Sequence, residues 1–171
     1  DLRELAAGSV VNAFFINKAL RMSETYGLKA SRNLIRRHFQ NLNDSISLGN
    51  QSFFSGLVLY SISGDIIADM LCKSSVPINR PAWQDIKNDL SLSPRIMLDK
   101  SVRGRGYLLF KTPVGNLQSP DGYIVGWVTL DPIFNYFLKP KQPANAEQAE
   151  RIDSILFGTG EQWFFLDRPP S

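Results

Sequence analysis

The stretch GLVLYSISGDIIAD, residues 56–69, decides the fold class of this 171-residue chain. Four apolar residues lead into the turn Ser63-Gly64-Asp65, after which apolar residues resume. Two apolar runs joined by a glycine-containing turn indicate a β-hairpin. A second stretch, GYIVGWVTLD at residues 122–131, predicts a strand that ends on a carboxylate before a proline. We interpret the two stretches as the first and last strands of one sheet.

Composition places the chain among soluble globular domains. Hydrophobic residues make up 43% of the sequence and charged residues 20%, and no segment is of low complexity. The length fits one domain, with or without a fragment of a neighbour. The net charge of +3, from 19 basic and 16 acidic residues, is too small an excess to indicate a nucleic-acid partner.

The sequence lacks the residues that several kinds of catalytic and metal-binding site require. Cys72 is the only cysteine, which excludes an internal disulfide and a multi-cysteine zinc site. His38 is the only histidine, which leaves little material for a histidine-rich metal site or a histidine-dependent triad. We expect Cys72 to end a strand and His38 to face solvent. Because no nucleophile or base motif is present either, the sequence predicts neither an enzyme nor a cofactor nor a metal site.

The first 48 residues have helical spacing, with apolar residues recurring at steps of three and four. We predict one very long helix over residues 1–48, the continuation of a membrane span that is not part of this chain. The alternative is two helices packed as a hairpin at Tyr26-Gly27. Residues 5–17 are uncharged, but this stretch is too short to cross a bilayer.

The remaining sequence predicts a sensing module over residues 49–139 and a linker region over 140–171. A linker helix is expected at 144–156 and a strand at 162–167, which either opens a second module or joins the first sheet. Within the module we predict about five antiparallel strands in a meander, with a helical segment near residues 80–90 between the second and third strands. The strands are expected at residues 53–62, 66–70, 95–98, 106–111 and 123–130.

Alternation along the last strand separates its side chains into two sets. Ile124, Gly126, Val128 and Leu130 are apolar or small and are assigned to packing under the helix. The other set mixes aromatic and polar groups, as small-molecule pockets do, and consists of Tyr123, Val125, Trp127, Thr129 and Asp131. The alternative is a partly exposed face on which Thr129 and Asp131 are hydrated.

Four residues carry a resemblance to a known family. Arg80 and Trp83 follow the second strand, Asp99 follows the third, and Asp131 closes the last. This pattern resembles the Cache family, the extracytoplasmic PAS-like sensor domains of bacterial membrane signalling proteins. The resemblance implies an α+β fold, with an antiparallel sheet of about five strands and a long N-terminal helix packed across one face.

The resemblance also implies a ligand site. Arg80 would bind a ligand carboxylate through its two-pronged guanidinium, while Asp99 and Asp131 would hold an ammonium group. Trp83 would form an apolar or cation-binding wall. The predicted site is completed by Tyr107, Trp127 and Thr129. As a structural alternative, Arg80 caps the following helix or pairs with Asp85, and Trp83 belongs to the core.

The function implied is that of an extracytoplasmic, periplasmic sensory domain that binds a small metabolite of the amino acid, amine or carboxylate class. The ligand would close the Arg80 loop onto the acidic residues and shift the long helix in a homodimer. The output module would be a histidine kinase, a chemoreceptor or a diguanylate cyclase. The alternative function is a PAS-like module without a ligand that serves dimerisation or partner contact, which a space plugged by Trp83, Trp127 and Tyr107 would favour.

Overall fold

The structure, a computed structural model, has an α+β architecture in which N-terminal helices cover one face of an antiparallel sheet. This class was predicted from the sequence and is confirmed. The structure describes residues 1–48, 51–72, 80–87, 95–98, 106–129, 154–159 and 162–167. The predicted site residues Asp99 and Asp131 lie outside these ranges, as does most of the predicted linker helix.

The N-terminal region contains several helices, so the prediction of one long helix is wrong. The helices are α1 (Leu2–Ala7), α2 (Ser9–Ala19), a π-helical turn (Glu24–Leu28) and α3 (Lys29–Ser45). Gly8 has an extended conformation (φ −65°, ψ 147°), which separates α1 from α2. Arg21 has a positive φ of 55° and reverses the chain after α2. The alternative of two packed helices is closer, but the reversal precedes Tyr26-Gly27.

Helix α3 buries a single stripe of side chains at four-residue steps, namely Ser31, Ile35, Phe39 and Asn43. A step of four keeps side chains on one face of a helix. The intervening Arg36, Arg37 and His38 are exposed, as expected for His38. The stripe therefore faces the strand Ile66–Leu71 of the sheet, against which α3 packs.

The sheet is built from four longer strands and one short edge strand. They are β3 (Gly56–Ser61), β4 (Ile66–Leu71), β5 (Arg95–Leu98), β6 (Gly106–Gly115) and β7 (Pro120–Thr129), preceded by a small β1 (Ser47–Leu48) and β2 (Gln51–Ser52) ladder. The strand order is β4-β3-β7-β6-β5, with antiparallel neighbours throughout. The predicted meander is therefore wrong.

The departure from a meander lies between β4 and β5, which occupy opposite edges of the sheet. The connection includes the short helix α4 (Trp83–Lys87), in the region where a helical segment was predicted. As a result the first strand, β3, pairs with the last strand, β7, at the centre of the sheet. All six residues of β3 and six of the ten residues of β7 are buried, because the centre of the sheet is covered on both faces.

The two faces of the sheet carry separate apolar clusters, and the alternation predicted for the last strand is confirmed over its described residues. Ile124 and Val128 belong to the cluster that includes Ile35 and Phe39 of α3. Tyr123, Val125 and Trp127 belong to the cluster on the opposite face, with Val58, Tyr60, Trp83, Ile86, Tyr107 and Leu109. The helices thus cover the first face, and the segment around α4 covers the second.

The C-terminal part of the chain contains a hairpin of β8 (Ser154–Thr159) and β9 (Gln162–Asp167). The strand predicted at 162–167 is confirmed, but residues 154–156, predicted as helical, begin a strand. The run Ile155, Leu156, Phe157 favours a strand because branched and aromatic residues suit the pleated sheet. The two strands form a sheet of their own.

The helices of the described ranges include none that is both long enough and apolar enough to span a bilayer.

A polar joint ties α3 to the sheet. The Asn43 side-chain oxygen accepts a hydrogen bond from the Phe54 backbone N–H at 3.1 Å, and its amide nitrogen donates to the Cys72 sulfur at 3.0 Å. The Cys72 thiol in turn donates to the Phe54 carbonyl at 3.1 Å. Asn43 is only 1% exposed, so these bonds replace its contacts with water. Cys72 lies just past the end of β4, as predicted.

We predict that Asn43→Ala lowers the free energy of unfolding by about 2 kcal/mol, because it leaves the buried Phe54 N–H without an acceptor. The measurement is chemical denaturation at neutral pH. Asn41→Ala is the matched control, since Asn41 lies on the exposed side of the same helix and should change stability little. Equal losses in the two variants would contradict the assigned joint.

Candidate functional site

The candidate site is the sheet face opposite the helices, together with residues 80–87, which lie over it. Asp69, Val58, Val125 and Lys111 are register neighbours across β4, β3, β7 and β6. At about 4.8 Å between strands, this row is about 14 Å long. One carboxylate and one ammonium group therefore stand at opposite ends of an apolar row.

Arg80 lies at the β4 end of this row and pairs with Asp69, a residue that sequence reasoning missed. Its Nη2 donates to Asp69 Oδ2, and both side chains are a little under one third exposed. The Arg80 Nε is buried and has no hydrogen-bond partner among the residues described. Of the alternatives predicted for Arg80 from the sequence, an ion pair is observed, and it is made with Asp69. The predicted partner, the Asp85 side chain, lies outside the described part of the structure.

Asp69 also faces a second guanidinium group, from the helical layer. Arg36 of α3 places its Nη2 at 3.8 Å from Asp69 Oδ1, the oxygen that Arg80 does not use. Strand β4 lies at the edge of the sheet, so a long side chain from α3 can reach past it to Asp69. One carboxylate therefore lies between two arginines.

Trp83 packs against two tyrosines that are register neighbours on β3 and β7. Its ring centroid lies 5.2 Å from that of Tyr60 and 6.2 Å from that of Tyr123. The indole also covers the β3–β4 turn, where a Cβ added at Gly64 would lie 2.4 Å from Trp83 Cδ1. Gly64 has a φ of +94°, so both its backbone and its contact with Trp83 require glycine. Trp83 is half-buried.

Besides the Arg80–Asp69 contact, two hydrogen bonds connect residues 80–87 to the sheet. The Tyr60 hydroxyl donates to the Pro81 carbonyl at 3.2 Å, and the Lys111 ammonium donates to the Ile86 carbonyl at 3.1 Å. The ammonium also lies 4.2 Å from the centre of the Tyr123 ring, a cation–π geometry. Lys111 is only 6% exposed, so its charge is held inside the protein by these groups and by its other contacts.

Three predicted site residues lie deeper in the same face or at its end. Trp127 is fully buried against Gly56, and its indole N–H has no hydrogen-bond partner among the described residues. Tyr107 is 7% exposed and stands opposite Thr129 in the register. The Thr129 hydroxyl lies 3.2 Å from the Ser55 hydroxyl, which accepts the Thr129 backbone N–H at 3.0 Å.

The structure thus places Arg80 and Trp83 at the rim of one face and Trp127 and Tyr107 in its interior. Sequence reasoning missed Tyr60, Asp69 and Lys111 as members of this site. A signal was present, because Asp69 and Lys111 are charged residues within otherwise apolar strand sequences, and charged groups are rarely buried without partners.

Burial dominates the electrostatics of the Tyr60 hydroxyl. Desolvation raises its pKa above the ordinary tyrosine value, the positive charge of Arg80 lowers it, and the negative charge of Asp69 raises it again. The net direction is upward, so the neutral hydroxyl that donates to Pro81 is favoured in the folded state.

Two cavities lined by described residues border the N-terminal helices. A cavity of about 590 Å³ lies between α1 and β6, lined by Arg3, Asn12 and Pro113 among others. Another of about 390 Å³ separates α1 and α2 from α3. Within the ranges described, no cluster of histidine, cysteine, aspartate and glutamate side chains is suited to a metal ion.

No family model matches the sequence, and no curated protein matches it either. Among solved structures, the chain is similar to a domain of a sensory box/GGDEF family protein from Vibrio parahaemolyticus. The TM-score is 0.44 at 12% sequence identity, and the match covers 80% of this chain and 53% of that one. The chain therefore spans about half the length of that structure.

We predict that Tyr60→Phe lowers the free energy of unfolding by about 1 kcal/mol at neutral pH, because the buried Pro81 carbonyl loses its donor. Urea denaturation measures the change. Tyr26→Phe is the matched control, since Tyr26 is 81% exposed and donates no hydrogen bond within the described residues. A Tyr60→Phe variant as stable as the control would show that the hydroxyl does not hold this segment.

Tyr60 should also add to the loss of stability at alkaline pH. Above the ordinary tyrosine pKa of about 10, the unfolded chain releases this proton more readily than the folded protein, so unfolding becomes easier. Its contribution is present below pH 10 and is lost as the pH rises toward the folded-state pKa. Between pH 9 and pH 11, the free energy of unfolding should therefore fall further in wild type than in Tyr60→Phe. An equal decrease in the two proteins would contradict the raised pKa of Tyr60.

Proposed function

We propose that the chain is an extracytoplasmic sensory domain of a bacterial membrane-bound signalling protein, and that it binds a small metabolite through a carboxylate held by Arg80. The observation that carries this proposal is the position of the Arg80 guanidinium and its incomplete hydrogen bonding. It stands at the rim of an aromatic face, and one of its nitrogens, Nε, is buried without a partner in the described part of the chain.

The guanidinium retains donors that a ligand could use. Arginine carries five N–H donors in a planar fork, and the contact with Asp69 engages one terminal nitrogen. A carboxylate accepts two parallel hydrogen bonds from such a fork, and these charge-assisted bonds are about twice as strong as neutral ones. Arg80 is also partly exposed, so a ligand from solution can reach it.

The aromatic residues around Arg80 supply the apolar wall that small-molecule sites need. Trp83 follows Arg80 by three residues, and its ring packs against those of Tyr60 and Tyr123. The indole N–H of Trp127, which has no partner among the described residues, adds a donor inside the same face. Asp99 and Asp131, predicted to hold a ligand ammonium, remain predictions.

A second candidate function is a PAS-like module that binds no ligand and serves dimerisation or partner contact. It is favoured by the burial of Trp127 and Tyr107, whose rings occupy the interior of the face. A homodimer through the N-terminal helices would suit either function and also remains a prediction. In the sensory case, the ligand can act only through its different affinities for two conformations.

The test is a thermal-shift screen of carboxylates, amino acids, amines and purines against wild type and Arg80→Ala. A ligand at one hundred times its dissociation constant stabilises the folded state by about 2.7 kcal/mol. For a domain of this size that corresponds to a shift of about 5–10 °C. We expect carboxylate-bearing compounds to give the shift and Arg80→Ala to abolish it.

Arg37→Ala is the control, since it removes the same charge from an exposed position on α3 and should preserve the shift. A compound that stabilises Arg80→Ala as much as wild type would overturn the assigned site. A screen in which no compound shifts the melting temperature would favour the module without a ligand.

A further inference from the structure

We propose that Asp69 is a switchable counter-ion, which a ligand carboxylate displaces from Arg80 and which then pairs with Arg36 on helix α3. This inference rests on the proposed function and adds the route by which an occupied site affects the helical layer. It also restricts the ligand to compounds that present an anionic group to Arg80.

The first argument is the geometry of the three charges. Arg80 and Arg36 approach different oxygens of the Asp69 carboxylate. Arg80 makes a direct hydrogen bond, whereas Arg36 at 3.8 Å lies beyond hydrogen-bond distance. Arg36 is therefore already close enough to pair with the Asp69 carboxylate after a small movement. In the structure observed, that carboxylate is bound by Arg80.

The second argument is charge balance. Among the described residues, the cluster contains two guanidinium groups and one carboxylate and therefore has one excess positive charge. An added ligand carboxylate would neutralise it and give each arginine one anionic partner, whereas an amine would meet a net repulsion. Because Asp69 and Arg80 are both partly exposed, water can help to separate them, and the displacement avoids leaving a buried charge unpaired.

The third argument is the position of Asp69 in the sheet. It lies on the edge strand β4, opposite Val58, which faces the candidate site. Strand β4 also packs against α3, which carries Arg36. A move of the carboxylate from Arg80 to Arg36 would thus replace a contact with residues 80–87 by a contact with the helical layer. This is a discrete exchange of partners at a single residue.

The first test needs no ligand and uses Arg80→Gln to release Asp69. We expect Arg36→Gln to lower the melting temperature by about 1 °C in wild type, where its ion pair is long and exposed, and by about 2–4 °C in the Arg80→Gln background. Arg37→Gln, the control on the same helix, should have the same small effect in both backgrounds. Equal effects of Arg36→Gln in the two backgrounds would overturn the proposal.

The second test uses acetate as the carboxylate probe and follows the arginine Nε–H resonances by NMR. In wild type, acetate should shift the signals of both Arg80 and Arg36, and sodium chloride at the same ionic strength should not. In Asp69→Asn the Arg80 signal should respond at several-fold lower acetate concentration, because its internal competitor is gone, and the Arg36 signal should not respond.

The outcomes separate the two proposals. An Arg80 signal that responds while the Arg36 signal stays fixed in wild type would overturn the exchange and leave the proposed site standing. An Arg36 signal that still responds in Asp69→Asn would overturn the exchange as well. An Arg80 signal that ignores acetate and larger carboxylates would overturn the proposed site, while the ligand-free melting comparison would still decide whether Asp69 passes between the arginines.

Discussion

The pairing of β3 with β7 is the constraint on which the rest of the structure depends. All six residues of β3 are buried, and its neighbour β7 is buried over most of its length. Because the two central strands are apolar on both faces, each face of the sheet must be packed against another layer of the protein. The N-terminal helices provide one of these layers, and the segment around α4 provides the other.

The layer on the second face includes residues 80–87, and it relies on polar contacts as well as apolar ones. Three hydrogen bonds connect residues 80–87 to the sheet. Arg80 donates to Asp69, Tyr60 donates to the Pro81 carbonyl, and Lys111 donates to the Ile86 carbonyl, so the segment is held near both of its ends. Helix α4 itself has only five residues and would not be stable alone. Within the described residues, the segment therefore depends on its contacts with the sheet for its position.

The sequence predicted those features that depend on neighbouring residues. The hairpin at 56–69 follows from two apolar runs joined by a glycine-containing turn, and it is observed. The alternation in the last strand follows from a two-residue period, and it is observed over the described residues. The single long helix failed because Gly8 and Arg21 adopt backbone conformations that an apolar pattern does not reveal. The strand order failed because the pairing of β3 with β7 joins residues far apart in the chain. Asp69 was missed as the partner of Arg80 for a similar reason, since a spacing of eleven residues carries no sign of contact.

The contact between Trp83 and Gly64 has a consequence for how the chain can vary in length. Surface turns usually tolerate inserted residues. The β3–β4 turn is different, because the indole lies directly on it and any lengthening would push the ring away from Tyr60. The exposed turn at residues 116–119, between β6 and β7, has no such neighbour among the described residues. Insertions that preserve the fold should therefore be found there, which makes it the natural place for a fused tag or a reporter domain.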